Sequence, residues 1–124
     1  MIVIGQLEGG AVQGIGQALC EAFVYDPATG QALTASFLDY AIPRTAMIRH
    51  FATAMDESIP CRNNPMGVKG VGELGTIGAT PAVVNAVVDA LARSGAGERA
   101  LSLQMPLTSE KVWRVLQGPK EEHA

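Results

Sequence analysis

The sequence predicts an α+β fold, a small antiparallel sheet with a hairpin packed by about three helices. Three observations predict it. Apolar residues recur at three- and four-residue spacing in three separate stretches. Between the first two, an alternating run follows the turn-forming Asp26-Pro27-Ala28-Thr29-Gly30. The length of 124 residues suits one domain with one core.

The first helix is expected over Gly9–Phe23. Ala11, Val12, Ile15, Ala18, Leu19, Ala22 and Phe23 form one face, and Gln13, Gln17 and Glu21 take the other. Gly14 and Gly16 lower its helix propensity, which points to close approach by another backbone or a ligand. A strand follows near Phe23–Tyr25, and the turn then uses Pro27 to set one dihedral and Gly30 to supply a positive φ. Gln31–Tyr40 returns as the second strand, with Leu33, Ala35 and Phe37 alternating against Thr34 and Ser36. Ile42-Pro43-Arg44 breaks it, Ile48–Met55 is a weakly patterned strand, and Glu57 to Gly78 reads as a long loop.

The second helix has Thr80 as N-cap, Pro81 at its first position, Ala82–Arg93 as its body and Gly95 as its stop. Val83, Val84, Ala86, Val87, Val88, Ala90 and Leu91 cover nearly its whole circumference, the pattern of a buried helix. A third helix starts at Thr108, with Glu110 near its positive end and Val112, Trp113, Val115 and Leu116 packing. Residues 1–117 form the domain, and 118–124 are a polar, fraying tail.

Composition bounds the context. The chain is 48% hydrophobic and 17% charged, with mean hydropathy +0.19, whereas an ordinary domain is roughly 25% charged. Small domains have proportionally more surface, so this balance fits a piece of a larger core; a homo-oligomer or simply an apolar small domain is the rival. Net charge is −3 and the isoelectric point 5.3, which leaves no nucleic-acid footprint. Cys20 and Cys61 lack metal-ligand spacing, and a reduced, cytoplasmic setting is the expectation. The N-terminus lacks the basic and apolar regions of a signal peptide, and no apolar run reaches the roughly 18–20 residues of a membrane span.

Pro65–Gly78 is the least scaffold-like stretch. Gly67, Gly70, Gly72, Gly75 and Gly78 surround one carboxylate, Glu73. A carboxylate on such a frame is a candidate general base, and that role at neutral pH asks for desolvation. The plainer reading has Glu73 cap a helix or pair with Lys69. Gly70-Val71-Gly72-Glu73-Leu74-Gly75 matches Gly-x-Gly-x-x-Gly, but Asn63-Asn64-Pro65 before it is poor strand material, and Glu73 would oppose a pyrophosphate. Gly75–Thr80, leading into Pro81, is a candidate anion site through backbone N–H groups. Gln6, ahead of a glycine-entered helix, offers a ligand both a donor and an acceptor. His50 and His123 have no paired ligands and read as surface residues; no metal-ligand set is found.

Four ordered blocks carry a resemblance. They are Gly5-Gln6-Leu7-Glu8-Gly9-Gly10-Ala11-Val12-Gln13-Gly14-Ile15-Gly16, Phe37-Leu38-Asp39-Tyr40-Ala41-Ile42-Pro43, Asn64-Pro65-Met66-Gly67-Val68-Lys69-Gly70-Val71-Gly72-Glu73 and Gly75-Thr76-Ile77-Gly78-Ala79-Thr80-Pro81-Ala82-Val83-Val84-Asn85-Ala86. Together they resemble the C-terminal portion of the molybdopterin-binding large subunit of the molybdenum hydroxylases: xanthine dehydrogenase, aldehyde oxidase, isoquinoline oxidoreductase and carbon monoxide dehydrogenase. The likeness spans about residues 2 to 116, and even Met1-Ile2-Val3 resembles family sequence rather than a start. An excised domain or truncated frame is therefore expected.

The resemblance implies that Glu73 is the base acting on a molybdenum-bound hydroxyl, that Gln6 contacts the cofactor, and that Gly72 lines the same site. It implies a molybdopterin cofactor, with the cytosine dinucleotide as one form, and hydroxylation of an aldehyde, N-heterocycle or related carbon with oxygen from water. The implied partners are the rest of the large subunit, iron–sulfur and FAD subunits or domains, and a small-molecule substrate. The isolated chain is expected to hold no cofactor and to be inactive. A structural or assembly fragment complementing a separately encoded partner is the alternative.

Overall fold

Helix α1 runs from Ile2 to Leu19 in the computed structural model, which describes residues 1–118. It begins well before the Gly9 expected from periodicity. Five glycines lie among its 18 residues, each about 1 kcal/mol poorer in a helix than Ala. Propensity does not hold α1 together; its neighbour does.

That neighbour is α2, Leu74–Leu91, the main contact of α1. It starts two turns before the expected Thr80-Pro81, so Pro81 lies inside the helix. An interior Pro removes one helical hydrogen bond and costs about 3 kcal/mol or more. Contacts with α1 offset that cost. A Cβ on Gly75 would clash with the Leu7 carbonyl and stand 2.8 Å from the Ala11 nitrogen. One on Gly14 would come within 2.9 Å of Ala79 Cβ and of the Thr76 carbonyl oxygen. The two backbones therefore nearly touch, as expected of Gly14. Thr76 Oγ1 donates to the Gly10 carbonyl at 3.0 Å, and Thr80 Oγ1 lies 3.3 Å from that of Gly14. One helical turn separates the partners on both helices, so the contact repeats in register.

Beyond Leu91 the helix widens over Ala92–Ala96 and tightens over Gly97–Ser102. Gly95, at φ 92°, interrupts the helical backbone at the expected stop. Helix α3, Ser109–Gln117, begins where expected, with Thr108 Oγ1 accepting from the Lys111 N–H. Its Val112 and Val115 join Val87, Val88 and Leu103 around buried Leu91, Ala96 and Ala100. Buried Ala18 and Leu107 meet where the Leu107 N–H donates to the Ala18 carbonyl.

The expected antiparallel sheet is not present among the described residues; the fold is helical. The turn forms as expected, with Asp26 Oδ1 accepting from the Ala28 and Thr29 N–H groups and Gly30 at φ 72°. Only one antiparallel bridge, Tyr25 to Ala32, follows from it. The return strand fails because Ser36 and Asp39 bond each other. Ser36 Oγ donates to Asp39 Oδ2 at 2.7 Å, and the Ser36 carbonyl accepts from the Asp39 and Tyr40 N–H groups. Such local bonds compete with a strand ladder, and a two-stranded hairpin alone is marginal.

No strand forms over Ile48–Met55 either. Residues 43–53 instead run back along α1, apart from a 3-10 turn at Thr45–Met47. Pro43 sits where a Cβ on Gly16 would be, and Thr53 Oγ1 donates to Glu8 Oε1 at 2.9 Å. The tail expected at 118–124 lies outside the described residues beyond Gly118.

A second expectation also changes. The apolar α2 is not buried within this chain: only Leu91 of its residues is, while Leu74 and Ile77 are 58% and 67% exposed. By length and composition Leu74–Ser102 could cross a membrane, contrary to the expectation that no stretch is long enough. A core helix of a soluble protein passes the same test.

Candidate functional site

The segment before α2 is built by Asn64. Its Nδ2 donates to the Val68 carbonyl at 3.0 Å and its Oδ1 accepts from the Val68 N–H at 3.2 Å. The Cys61 N–H reaches the Gly67 carbonyl, closing a loop across Gly67 at φ 67°. From there the chain passes Gly70 and Gly72 and enters α2 at Glu73. Asn64 lies in one of the four family blocks without an expected role; an Asn-Pro pair before a glycine run is the signal that marks it.

Gln6 and Gly72, 66 positions apart, meet directly: Gln6 Nε2 donates to the Gly72 carbonyl at 2.7 Å. The α1–α2 seam brings them together. Gly75 is seated against Leu7, next in sequence to Gln6, so the start of α2 lies beside the first turns of α1. Two of the three expected site residues are thus bonded, and the third is the residue after Gly72.

Glu73 precedes the first helical residue, with φ −108° and ψ −4°. Its carbonyl accepts from the Ile77 N–H at 3.0 Å, whereas its side chain makes no capping bond. It forms no ion pair with Lys69, and the side chain is exposed. The plainer reading, a cap or a Lys69 partner, is not what the structure contains. Among the described residues the carboxylate has no partner.

Gly10, Gly14, Gly16 and Gly75 are filled by neighbouring atoms of this chain. Gly70, Gly72 and Gly78 face open space, with nothing within 4 Å of an added Cβ. The α1–α2 contact accounts for Gly10, Gly14 and Gly75, and Pro43 with Glu21 accounts for Gly16, whereas nothing in the described residues fills the space at Gly70, Gly72 and Gly78. The segment Gly75–Thr80, expected as a loop leading into Pro81, is helical, so its leading N–H groups are those of the first turn of α2, next to Glu73.

Gln6 Oε1, the glycine surface at Gly70 and Gly72, and the Glu73 carboxylate together fit a cofactor that brings its own metal ligands. They offer an acceptor, room for a bulky group and a base. Among the described residues no group of three His, Cys, Asp or Glu side chains is placed to hold a metal ion. A recess of about 480 Å³, lined by Glu8, Arg44, Arg49 and His50 among others, includes none of Gln6, Gly72 and Glu73.

Titration differs elsewhere in the chain. Burial, and then the neighbouring Glu21, push the Cys20 thiol up. The hydrogen bond that Tyr40 donates to Glu21 Oε2 holds its phenol above the usual range. The Thr29 backbone and hydroxyl, then the Ala28 N–H, hold Asp26 below the usual carboxylate range.

Comparison with known proteins gives the context. Residues 1–49 match the molybdopterin cofactor-binding domain family. The nicotine 6-hydroxylase large subunit of Paenarthrobacter nicotinovorans is 44% identical, over 97% of this chain and 15% of its own length. The 6-hydroxypseudooxynicotine dehydrogenase complex subunit gamma of the same organism is 39% identical, over 92% of this chain and 14% of its own. The carbon monoxide dehydrogenase large chain of Hydrogenophaga pseudoflava is 36% identical, over 94% and 14%.

Among solved structures, a Cu,Mo-CO dehydrogenase superposes with TM-score 0.82 at 34% identity, over 94% of this chain and 14% of the other. Quinoline 2-oxidoreductase from Pseudomonas putida 86 gives 0.74 at 39%, over 95% and 14%. The chain spans about one-seventh of the length of the relatives it matches. By its sequence and by its fold, the chain matches a one-seventh portion of the molybdopterin-binding large subunits of molybdenum hydroxylases.

Proposed function

We propose that this chain is the C-terminal part of a molybdenum hydroxylase large subunit and supplies the catalytic base, Glu73. The Gln6–Gly72 bond carries the reading, because it gathers two separated segments beside a carboxylate that nothing among the described residues engages. The relatives' names include nicotine hydroxylase and quinoline oxidoreductase. An electron-poor carbon of an N-heterocycle is accordingly the favoured substrate class, with aldehydes and related carbon centres next.

The molybdopterin cofactor, when bound, supplies the redox centre that takes up the electrons leaving the substrate carbon. Gln6 would hold it through the amide, and Gly70 and Gly72 leave room for it. The Glu73 carboxylate takes a proton from the water-derived hydroxyl as that oxygen becomes the nucleophile. Its exposure in this chain means that the desolvation a base needs comes from the cofactor and the remainder of the subunit. The names "large subunit" and "complex subunit gamma" support partner subunits, which we take to carry iron–sulfur clusters and FAD. Free Cys20 and Cys61 suit a reducing, cytoplasmic setting.

Glu73→Gln in the complete enzyme tests the assignment. Molybdenum content stays at the wild-type level while turnover falls about 10²–10⁴-fold, the range of a lost general base. Near-normal turnover at full molybdenum content would refute it. The purified 124-residue chain is expected to contain no molybdenum by elemental analysis; a stoichiometric content contradicts the split site.

A further inference from the structure

We infer that Gln6 is a positioning residue for Glu73, locking the peptide before it, and that its free Oε1 is an acceptor for an N–H of the bound ligand. The inference rests on the reading of Glu73 as the base and adds to it a cause for where the carboxylate points.

The backbone geometry carries the inference. A residue's φ and ψ are fixed once the peptide planes on both sides are fixed, and with them the direction of its Cα–Cβ bond. The plane before Glu73 carries the Gly72 carbonyl, held by Gln6 Nε2 at 2.7 Å. The plane after it carries the Glu73 carbonyl, held by the Ile77 N–H at 3.0 Å. No side chain of Gly70 or Gly72 contributes, because neither has one, and space around both is open. Gln6 is therefore the constraint on the N-terminal side of Glu73, and α2 is the constraint on the other.

The amide's orientation follows from chemistry. A carbonyl oxygen only accepts, so the nitrogen of Gln6 faces Gly72 and Oε1 faces away. Oε1 accepts no hydrogen bond among the described residues. A ligand reading that atom must bring a donor, such as a pterin ring or amino N–H. Binding of such a ligand and orientation of Glu73 are thereby joined through one side chain.

Two variants of the complete enzyme test this. Gln6→Glu keeps length and acceptor but has no N–H; Gln6→Met keeps length alone and serves if the first disturbs folding. Hydrogen exchange by mass spectrometry reads the segment 70–76, with α1 residues 10–18 as the control for global effects. In either variant, exchange of 70–76 rises about 3- to 10-fold, the loss of one ordinary hydrogen bond, while the control segment is unchanged. Turnover per bound molybdenum falls through kcat with KM nearly constant.

Unchanged exchange in 70–76 overturns the lock. A variant that loses molybdenum but keeps wild-type turnover per molybdenum overturns the positioning role and leaves Gln6 a cofactor contact alone. Exchange reads the lock whether or not Glu73 is the base, and Glu73→Gln turnover reads the base whether or not Gln6 locks it.

Discussion

Gly75 and Gly78 lie in the same turn of α2, yet their substitutions should act in opposite directions. Alanine at Gly75 drives a methyl into the Leu7 carbonyl and Ala11 nitrogen, both backbone atoms that have no rotamer to escape into. The expected loss is about 1–3 kcal/mol, typical of overpacking. Alanine at Gly78 meets nothing and should add about 0.5–1 kcal/mol through helix propensity. Denaturant titration of the two variants checks the signs; a shared sign contradicts the packing described here. The sequence displayed the glycine cluster around Glu73 plainly. It did not display which glycines face a helix and which face open space, because that depends on where α1 lies.

The Asp26 turn gives a pH effect at the same scale. Hydrogen bonds from Thr29 and Ala28 hold its pKa below the unfolded value. Its contribution is therefore present above the usual carboxylate range and is lost as pH falls through the lowered pKa. Amide shifts of Thr29 and Gly30 followed from pH 6 to pH 2 should report loosening only at the acid end. Asp26→Ala should remove that titration, and a Thr29 profile unchanged by the substitution contradicts it.

At the scale of elements, the α1–α2 pair is a backbone-to-backbone contact stitched by two threonines. Thr76→Val keeps shape and removes the hydroxyl that serves the Gly10 carbonyl. It should cost about 0.5–1.5 kcal/mol, one net hydrogen bond, measured by chemical denaturation. A change near zero would assign the seam to close packing alone. The start of α2 is hidden in the sequence because Pro81 is a sound first-turn residue locally, and only the contact with α1 outweighs that preference. The start of α3 is legible at Thr108 because its cap is a local bond to Lys111. The hairpin divides the same way. Its turn is written in Asp26 and Gly30, whereas the strands needed partners that local sequence does not supply.

At the scale of the molecule, a small core supports a large apolar surface. The buried apolar residues among those described are Ala18, Leu91, Ala96, Ala100 and Leu107, three of them alanines. Phe37 and Leu38, by contrast, are 82% and 92% exposed. That balance was legible in composition, since few charges and high hydropathy already implied covering by other protein. We take the cover to be the remainder of the large subunit. The same cover accounts for the uncovered face of Leu74–Ser102, which carries the Asp89–Arg93 ion pair and the break at Gly95 within its length.

Complementation separates the role of Glu73 from that of the surrounding surface. The remainder of the large subunit, produced with its partner subunits but without these 124 residues, is mixed with the purified chain and assayed for hydroxylation. The wild-type chain should bind and restore turnover, and the Glu73→Gln chain should bind equally and restore none. Failure of the wild-type chain to bind, or equal turnover with both chains, would contradict that expectation.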